Sequence, residues 1–352
     1  MAITLHDKFA KQIQQKFTKE SIAKGILSDQ YSWAGVKTVK ISTLQTVPLN
    51  DYTRTGANRY GEPVEMQDMV QELTLTQDKS FALTIDKGNQ QDQNGIKAAG
   101  QALSLQIKER MVPALDTYVL AQLAQKAGKI VGNGTALTKT TVAGRIDNGV
   151  AFLDDAEVPE EGRTLLVSSG TFTLLKQSGV DLSCDEVVKK AWVKGKVGEY
   201  SGMNVVKVPA GRWPANVNFM IVHKNAGCAP VKLNDTKVHQ DPPGLSGNLL
   251  EGRQYYDCFV FGAKCNGVYV EVNTGRSAGT VLAAPTIAAA TGVITPASGA
   301  TVKYTTDGTD PRYSNTAKVG TSAGTGVGTV VKAYQYKEGA YPSEVATVTL
   351  TA

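Results

Sequence analysis

Histidine is scarce in this sequence: three stand among 352 residues, His6, His223 and His239, each alone. With no HExxH and no His/Cys cluster at ligand spacing, a metal site has nothing to build on. Cysteine is nearly as scarce. Cys184, Cys228, Cys258 and Cys265 form no CxxC pair and are too few for a disulfide framework in so long a chain, so they read as buried thiols of a reducing compartment. No run approaches the roughly 18 apolar residues of a membrane span. The opening MAITLHDKFAKQIQQKF is charged throughout and has no apolar core of a signal peptide. A soluble protein made in the cytosol is the expectation. Positive charge is limited too: 37 Lys and Arg against 32 Asp and Glu give +5. That is far from the concentrated basic face of a dedicated nucleic-acid binder, although such a chain can still line a compartment that holds nucleic acid.

Catalytic motifs are missing. GNGT and GTGVG lack the Lys-Ser/Thr of a phosphate loop, and GLSGN lacks the final glycine of a nucleophile elbow. The densest acidic cluster is Asp154, Asp155, Glu157, Glu160 and Glu161. It flanks a proline at a helix end, where carboxylates are solvated rather than set across a cleft as glycoside hydrolysis needs. Trp33, Trp192 and Trp213 are scattered and form no row for stacking sugars. The expectation is a protein that is not an enzyme and uses no cofactor and no metal.

What is present is strong patterning. A chain of this length has room for about two domains. Leu5, Phe9, Ile13, Phe17 and Ile22 recur at near-helical spacing, which predicts an amphipathic helix or arm ending near Gly25. VKTVKISTLQTVPL alternates as a strand, and DYTRTGANRYGEP is a polar loop. In VQELTLTQDKSFALTID, Leu73 and Leu75 alternate, QDKS reads as a turn, and Phe81, Leu83 and Ile85 alternate again. The pattern predicts a β-hairpin with one apolar stripe. Such a hairpin is marginal alone. The hairpin residues Leu73, Leu75, Phe81, Leu83 and Ile85 and the arm residues Phe9, Ile13 and Phe17 are therefore expected to lie on a neighbouring subunit.

Asn94–Lys126 carries the longest helical pattern, with Ile96, Leu103, Ile107, Met111, Ala114 and Tyr118 on one stripe. At ~1.5 Å per residue it predicts a rod of roughly 45 Å. Pro113 removes the hydrogen bond to the Glu109 carbonyl and predicts a kink. The following region reads as α/β: a helix in RIDNGVAFLDDAEVPEEG, a buried strand and helix in RTLLVSSGTFTLLKQSG, and a strand pair around AKCNG in EGRQYYDCFVFGAKCNGVYVEV. NTGRSAGTVLAAP reads as a linker. The Thr/Val/Tyr-rich remainder, with its frequent turns, predicts a small all-β sandwich. In its stretch YTTDGTDPRYS, the residues Tyr304, Asp307, Gly308, Asp310 and Pro311 mark a turn. The two aspartates can bind a cation or a ligand, but Asp-Gly is first a hairpin turn and Asp-Pro a turn initiator.

The order of these parts resembles the major capsid protein of tailed bacteriophages, with the Hong Kong 97-like fold that encapsulins share. LTLTQDKSFALTIDKGNQQDQNGIKAAGQALSLQIKERMVPALDTYVLAQLAQKAG is similar to the extended loop and spine helix of capsid proteins from phages of Gram-positive bacteria. VAFLDDAEVPEEGRTLLVSSGTFTLLKQS is similar to the start of the axial domain, and KNAGCAPVKLNDTKVHQDPPGLSGNLLEGRQYYDCFVFGAKCNGVYV to the closing segment. The resemblance implies an α+β fold with an N-arm at 1–30, an extended loop at 31–93, a spine helix at 94–127 and an axial and peripheral region at 128–275. It implies homo-hexamers and pentamers in an icosahedral head around double-stranded DNA, located in the virion after assembly in the host cytoplasm, with a portal as further partner. Because the arm begins almost at Met1, scaffolding is expected from a separate protein. No local motif assigns the family's Lys–Asn cross-link.

After a linker at 276–284, residues 285–352 are similar, through VKYTTDGTDPR, to the immunoglobulin-like module that ends chitobiases and β-hexosaminidases. That likeness implies a surface domain in weak contact with host glycans. An encapsulin-type nanocompartment shell is one alternative. A carbohydrate-active enzyme or surface adhesin is the other, and it requires a secretion signal or a carboxylate pair that the sequence does not offer.

Overall fold

The computed structural model describes residues 21–28, 33, 37–44, 46, 49–63, 65–66, 68–88, 99–179, 196–276 and 280–351. Phe9, Ile13, Phe17 and the first residues of the spine pattern lie outside them. The described residues start with one helical turn, α1 (Ala23–Ile26), which contains Gly25. Three strands follow: β1 (Thr38–Leu44), β2 (Asp68–Thr74) and β3 (Gln77–Asp86).

The hairpin lies one strand earlier than the pattern predicts. β1 and β2 pair antiparallel from Thr38↔Thr74 to Leu44↔Asp68, so the polar stretch between them is the hairpin's loop. QDKS is no turn but the start of β3, which pairs elsewhere. The physical reason is an anchor where a free turn was expected. Leu73 and Leu75 are buried with Trp33, Phe259 and Phe261. The buried Asp257 carboxylate accepts both the amide and the hydroxyl of Thr76 at 2.8 Å.

The long helical pattern forms α2 (Ala99–Gln106), a π-helical turn at Ile107–Met111, and α3 (Val112–Gln125). The amide of Val112 donates to the Ile107 carbonyl, the i to i−5 bond of a π-turn. Pro113 follows directly. In α register its ring would strike the Glu109 carbonyl. The interruption expected at Pro113 thus takes the form of a wider turn just upstream.

The chain continues through β4 (Lys129–Asn133), α4 (Val142–Asp155), β5 (Arg163–Ser168) and α5 (Ser169–Gln177). Ser168 caps α5, its hydroxyl accepting the Thr171 amide at 3.1 Å. Then come β6 (Lys196–Tyr200), β7 (Met203–Val208), β8 (Val217–His223), β9 (Gly227–Cys228), β10 (Val231–Gln240), β11 (Gly247–Tyr256), β12 (Phe259–Val260) and β13 (Val268–Asn273).

Six of these strands form one mixed sheet in the order β4-β13-β8-β5-β7-β6. VNFMIVH and VYVEVN are buried at every position, as strands covered on both faces must be. On one face α4 and α5 set Val142, Ile146, Leu153 and Leu175 against Leu165, Val167, Phe219 and Ile221. Gly149 lets α4 ride close, since a Cβ there would stand 2.9 Å from the Ile221 Cδ1. On the other face α3 sets Leu115, Val119, Leu120 and Leu123 against Leu166, Met220, Val268 and Val270.

The strand pair expected around AKCNG does not form. A 3₁₀ segment, Gly262–Gly267, separates β11 from β13; β13 enters the main sheet, and β11 joins β10 and β3 in a three-stranded one.

The C-terminal part is an all-β module: β14 (Thr286–Ile287), β15 (Ile294–Thr295), β16 (Thr301–Thr305), β17 (Lys318–Val319), β18 (Val330–Tyr336) and β19 (Ala346–Thr349). β14 and β15 make a two-stranded ribbon, and the others an antiparallel sheet in the order β17-β16-β18-β19. Its own small core is Ile294, Val302, Val331, Ala333 and Leu350.

Candidate functional site

The residues expected at a subunit interface are sorted by the strand pairing. Leu73 and Leu75 are buried in the chain's own core and present no surface. β3 lies beside β11, with Ile85 opposite Asn248, Leu83 opposite Leu250 and Phe81 opposite Gly252. Ile85 is buried there, and Phe81 lies over the glycine, where a Cβ would meet its ring at 2.2 Å. On β3 the protein itself therefore covers Ile85 and part of Phe81. Leu83 remains 39% exposed, and Val238, opposite Leu250 on β10, shares that face.

A surface the sequence did not flag is the hairpin loop. Leu49 is fully exposed and Tyr60 is 85% exposed, with Leu44, Tyr52 and Met66 also open. The loop nevertheless has internal order. The Thr53 amide donates to the Arg59 carbonyl at 3.1 Å, the Gly61 amide to the Asn58 carbonyl at 2.8 Å, and the Tyr52 and Tyr60 rings meet edge-on at 5.0 Å. Its apolar residues are single letters in a polar run, so periodicity gives no signal. A row of large side chains without cover is what points to a partner.

Two buried carboxylates tie this hairpin and the segment Ser21–Ala23 to α3. Asp116 on α3 accepts the Ile22 and Ala23 amides at 3.0 and 3.1 Å, the Ser21 hydroxyl at 2.8 Å and Arg212 at 2.7 Å. Asp257, besides holding Thr76, accepts the Tyr118 hydroxyl of α3 and the Cys258 amide at 2.8 and 2.7 Å. Burial pushes the Tyr118 phenol up, and the Asp257 charge adds to it. Away from the apolar stripe, the three-stranded sheet carries ion pairs in the open, Arg253 with Asp78 and Lys237 with Asp235, and a contact of the His239 ring with Glu251 at 3.2 Å. The hydrogen bond from Arg253 holds the Asp78 carboxyl below its ordinary value. Pairs this exposed are screened by water and contribute little to stability.

The acidic cluster is structural where it is paired. Asp154 accepts from the buried Arg163 at 2.7 Å, and Arg163 also donates to the Pro159 carbonyl at 3.0 Å, closing the end of α4. His223 is turned onto the Glu161 carbonyl at 3.0 Å, and burial lowers its imidazole. Among the described residues, no three His, Cys, Asp or Glu side chains are grouped to hold a metal.

The C-terminal turn does not bring its two aspartates to a common point. Asp307 accepts the Thr309 amide at 3.0 Å and the Thr309 and Thr316 hydroxyls at 2.5 and 2.6 Å. Burial raises its carboxyl, but these bonds outweigh that and leave it below the ordinary value. Asp310 accepts the Arg312 amide at 2.9 Å and its guanidinium at 2.7 Å. Gly308 supplies the positive φ of the turn, +75°. Tyr304 packs toward the module core, and Pro311 is buried. The neighbouring Arg312 and Tyr313, which the sequence reading passed over, face the large domain.

No family model and no curated protein matches the sequence. Solved structures do match the fold. A chain from Mycobacterium phage Che8 superposes with a TM-score of 0.62 at 16% identity, covering 77% of this chain and 98% of that one. The capsid structure of Cyanophage P-SCSP1u gives 0.60 at 15% identity, covering 77% and 93%. The mature capsid of bacteriophage PhiM1 gives 0.56 at 16%, covering 78% and 93%. This chain has the mixed helix-and-sheet fold of phage capsid chains. About a quarter of it has no counterpart in them.

Proposed function

We propose that this chain is the structural major capsid protein of a tailed bacteriophage, with the Hong Kong 97-like arrangement of arm, extended loop, spine helix and axial domain. It assembles with itself into hexamers and pentamers of an icosahedral head around double-stranded DNA, aided by a separate scaffolding protein and a portal. The observation that carries this is the pairing of a capsid-type fold, matched over nearly the whole of its neighbours, with a hairpin whose Leu49, Tyr60 and Met66 are bare. A shell covers such residues with adjacent copies; obligate interfaces remove ~2,000–5,000 Å² from water. Residues 285–352 serve as an immunoglobulin-like decoration on the head exterior, in weak contact with host glycans.

The test is electron microscopy and size-exclusion chromatography of the wild type and of a Leu49→Asp, Met66→Asp variant, alone and with a phage scaffold. Polyhedral shells or capsomers are expected from the wild type and not from the variant. The variant's own stability is expected within about 0.5 kcal/mol, because surface substitutions touch no packed neighbour. A wild-type protein that stays monomeric under every condition would sink the proposal.

A further inference from the structure

We propose that the C-terminal module, whatever its outer face meets, is also a latch, and that Arg312, Tyr313 and Tyr341 lock it onto the segment that follows α3 and onto the root of the hairpin. Arg312 is held by Asp310, whose two oxygens accept Nε and Nη2 at 3.1 and 2.7 Å. Its remaining arm, Nη1, donates to the Ala127 and Gly128 carbonyls at 3.2 and 2.8 Å. Those carbonyls lie just past the end of α3, on the side of the helix's negative pole, which favours a cation. The Tyr313 hydroxyl donates to the Lys126 carbonyl at 2.7 Å, and its Cβ occupies the space a side chain at Gly262 would need, 2.8 Å from an ideal Cβ there.

The same segment reaches the hairpin. The Asn315 amide donates to the Val70 carbonyl in β2 at 3.3 Å. On the module's other side, the Tyr341 hydroxyl donates to the Ala215 carbonyl at 2.6 Å, and its backbone pairs with Thr280 and Leu282. Lys129 forms an ion pair with Glu344 nearby. Tyr313 and Tyr341 belong to the same buried cluster as Leu123, Ala127 and Val272, so one core crosses the domain boundary. Interfaces between domains of one chain permit relative motion unless they are large and hydrophobic. This one is bonded to the segment that follows α3 and to the hairpin at once, so the hairpin cannot swing from α3 without opening it. The latch stands whether or not the protein builds a shell.

Hydrogen exchange on the full-length, unassembled chain tests it. The reporters are the Gly128 amide, bonded to the Cys265 carbonyl, and the Asn315 amide, bonded to Val70. In the wild type both are expected to exchange with the slow amides of β8 and β13. Arg312→Ala is expected to speed both about tenfold or more, since it removes charge-assisted bonds and leaves carbonyls unpaired. Arg312→Lys keeps the charge but loses the fork, and falls between. Tyr313→Phe keeps the ring and removes one hydroxyl, so it remains readable if the alanine variant does not fold. Unchanged exchange at Gly128 and Asn315 in these variants would overturn the latch, whatever happens inside the module. So would reporters that already exchange freely in the wild type.

Discussion

Asp116 offers the sharpest quantitative test of how the arm is held. Its carboxylate is fully buried and takes four donors, the Ser21 hydroxyl, the Ile22 and Ala23 amides and the Arg212 guanidinium. Asp116→Ala breaks a buried ion pair from one side, which costs about 3–5 kcal/mol. It also leaves two backbone amides short of an acceptor, each worth about 1–3 kcal/mol if water cannot reach it. Partial solvation keeps the sum from adding in full, so about 4 kcal/mol is the expected loss. A typical domain has about 5–15 kcal/mol in all. Asp116→Asn retains the shape and one acceptor oxygen and is expected to cost about half as much. Denaturant unfolding of the unassembled subunit measures both, with the midpoint moving and the slope unchanged. A double-mutant cycle with Arg212→Ala is expected to return a coupling of about 0.5–3 kcal/mol. A loss under about 1 kcal/mol for Asp116→Ala would refute the clamp, because it would mean that water or other groups replace the carboxylate at little cost.

Pro113→Ala restores a donor for the Glu109 carbonyl, and a structure of the variant is expected to show Ile107–Met111 in α instead of π register; a persisting π-turn would assign it to packing. If the protein forms shells, immature and mature particle radii of that variant show whether the turn takes part in expansion. Burial pushes the phenols of Tyr269, Tyr334 and Tyr341 up to about 12, while the unfolded chain ionises them near 10. Above about pH 10 the unfolded state therefore binds fewer protons than the folded one, and stability falls as pH rises toward about 12. Denaturation midpoints that stay flat across that window would contradict this burial. The Cys258 thiol is likewise raised to about 12 by burial, so the native protein is expected to react with a thiol reagent at this site only as fast as it opens.

Much of the α/β region was legible because its signals are local. The spacing of Ile146, Val150 and Leu153 predicts α4, and Ser168 before a helical run marks the start of α5. The apolar run VNFMIV predicts a strand, and it is β8, which the structure buries at every position. The break at Pro113 is written in the residue itself, although the π-turn that answers it is not. Cover for Leu73 and Leu75 was also foreseeable. Its source was not: alternation states that a face is buried but not by what.

What the sequence determined by itself, then, is much of the inventory of helices and strands, the turn read at QDKS and the strand pair read around AKCNG excepted, together with the want of a reaction centre motif. Each rests on chemistry within a few residues: a period, a cap, a ring that cannot donate. Only the tertiary structure decided the partners. β3 pairs with β11, placing Asp78 against Arg253 from 175 residues away, so the hairpin moved back one strand and Ile85 was buried within the protein itself. DGTDPR was readable as a turn because Asp, Gly and Pro make turns anywhere. That Arg312 and Tyr313 reach the Gly128 and Lys126 carbonyls just past α3 was not, since a backbone acceptor is the same at every residue and only folding brings it within reach.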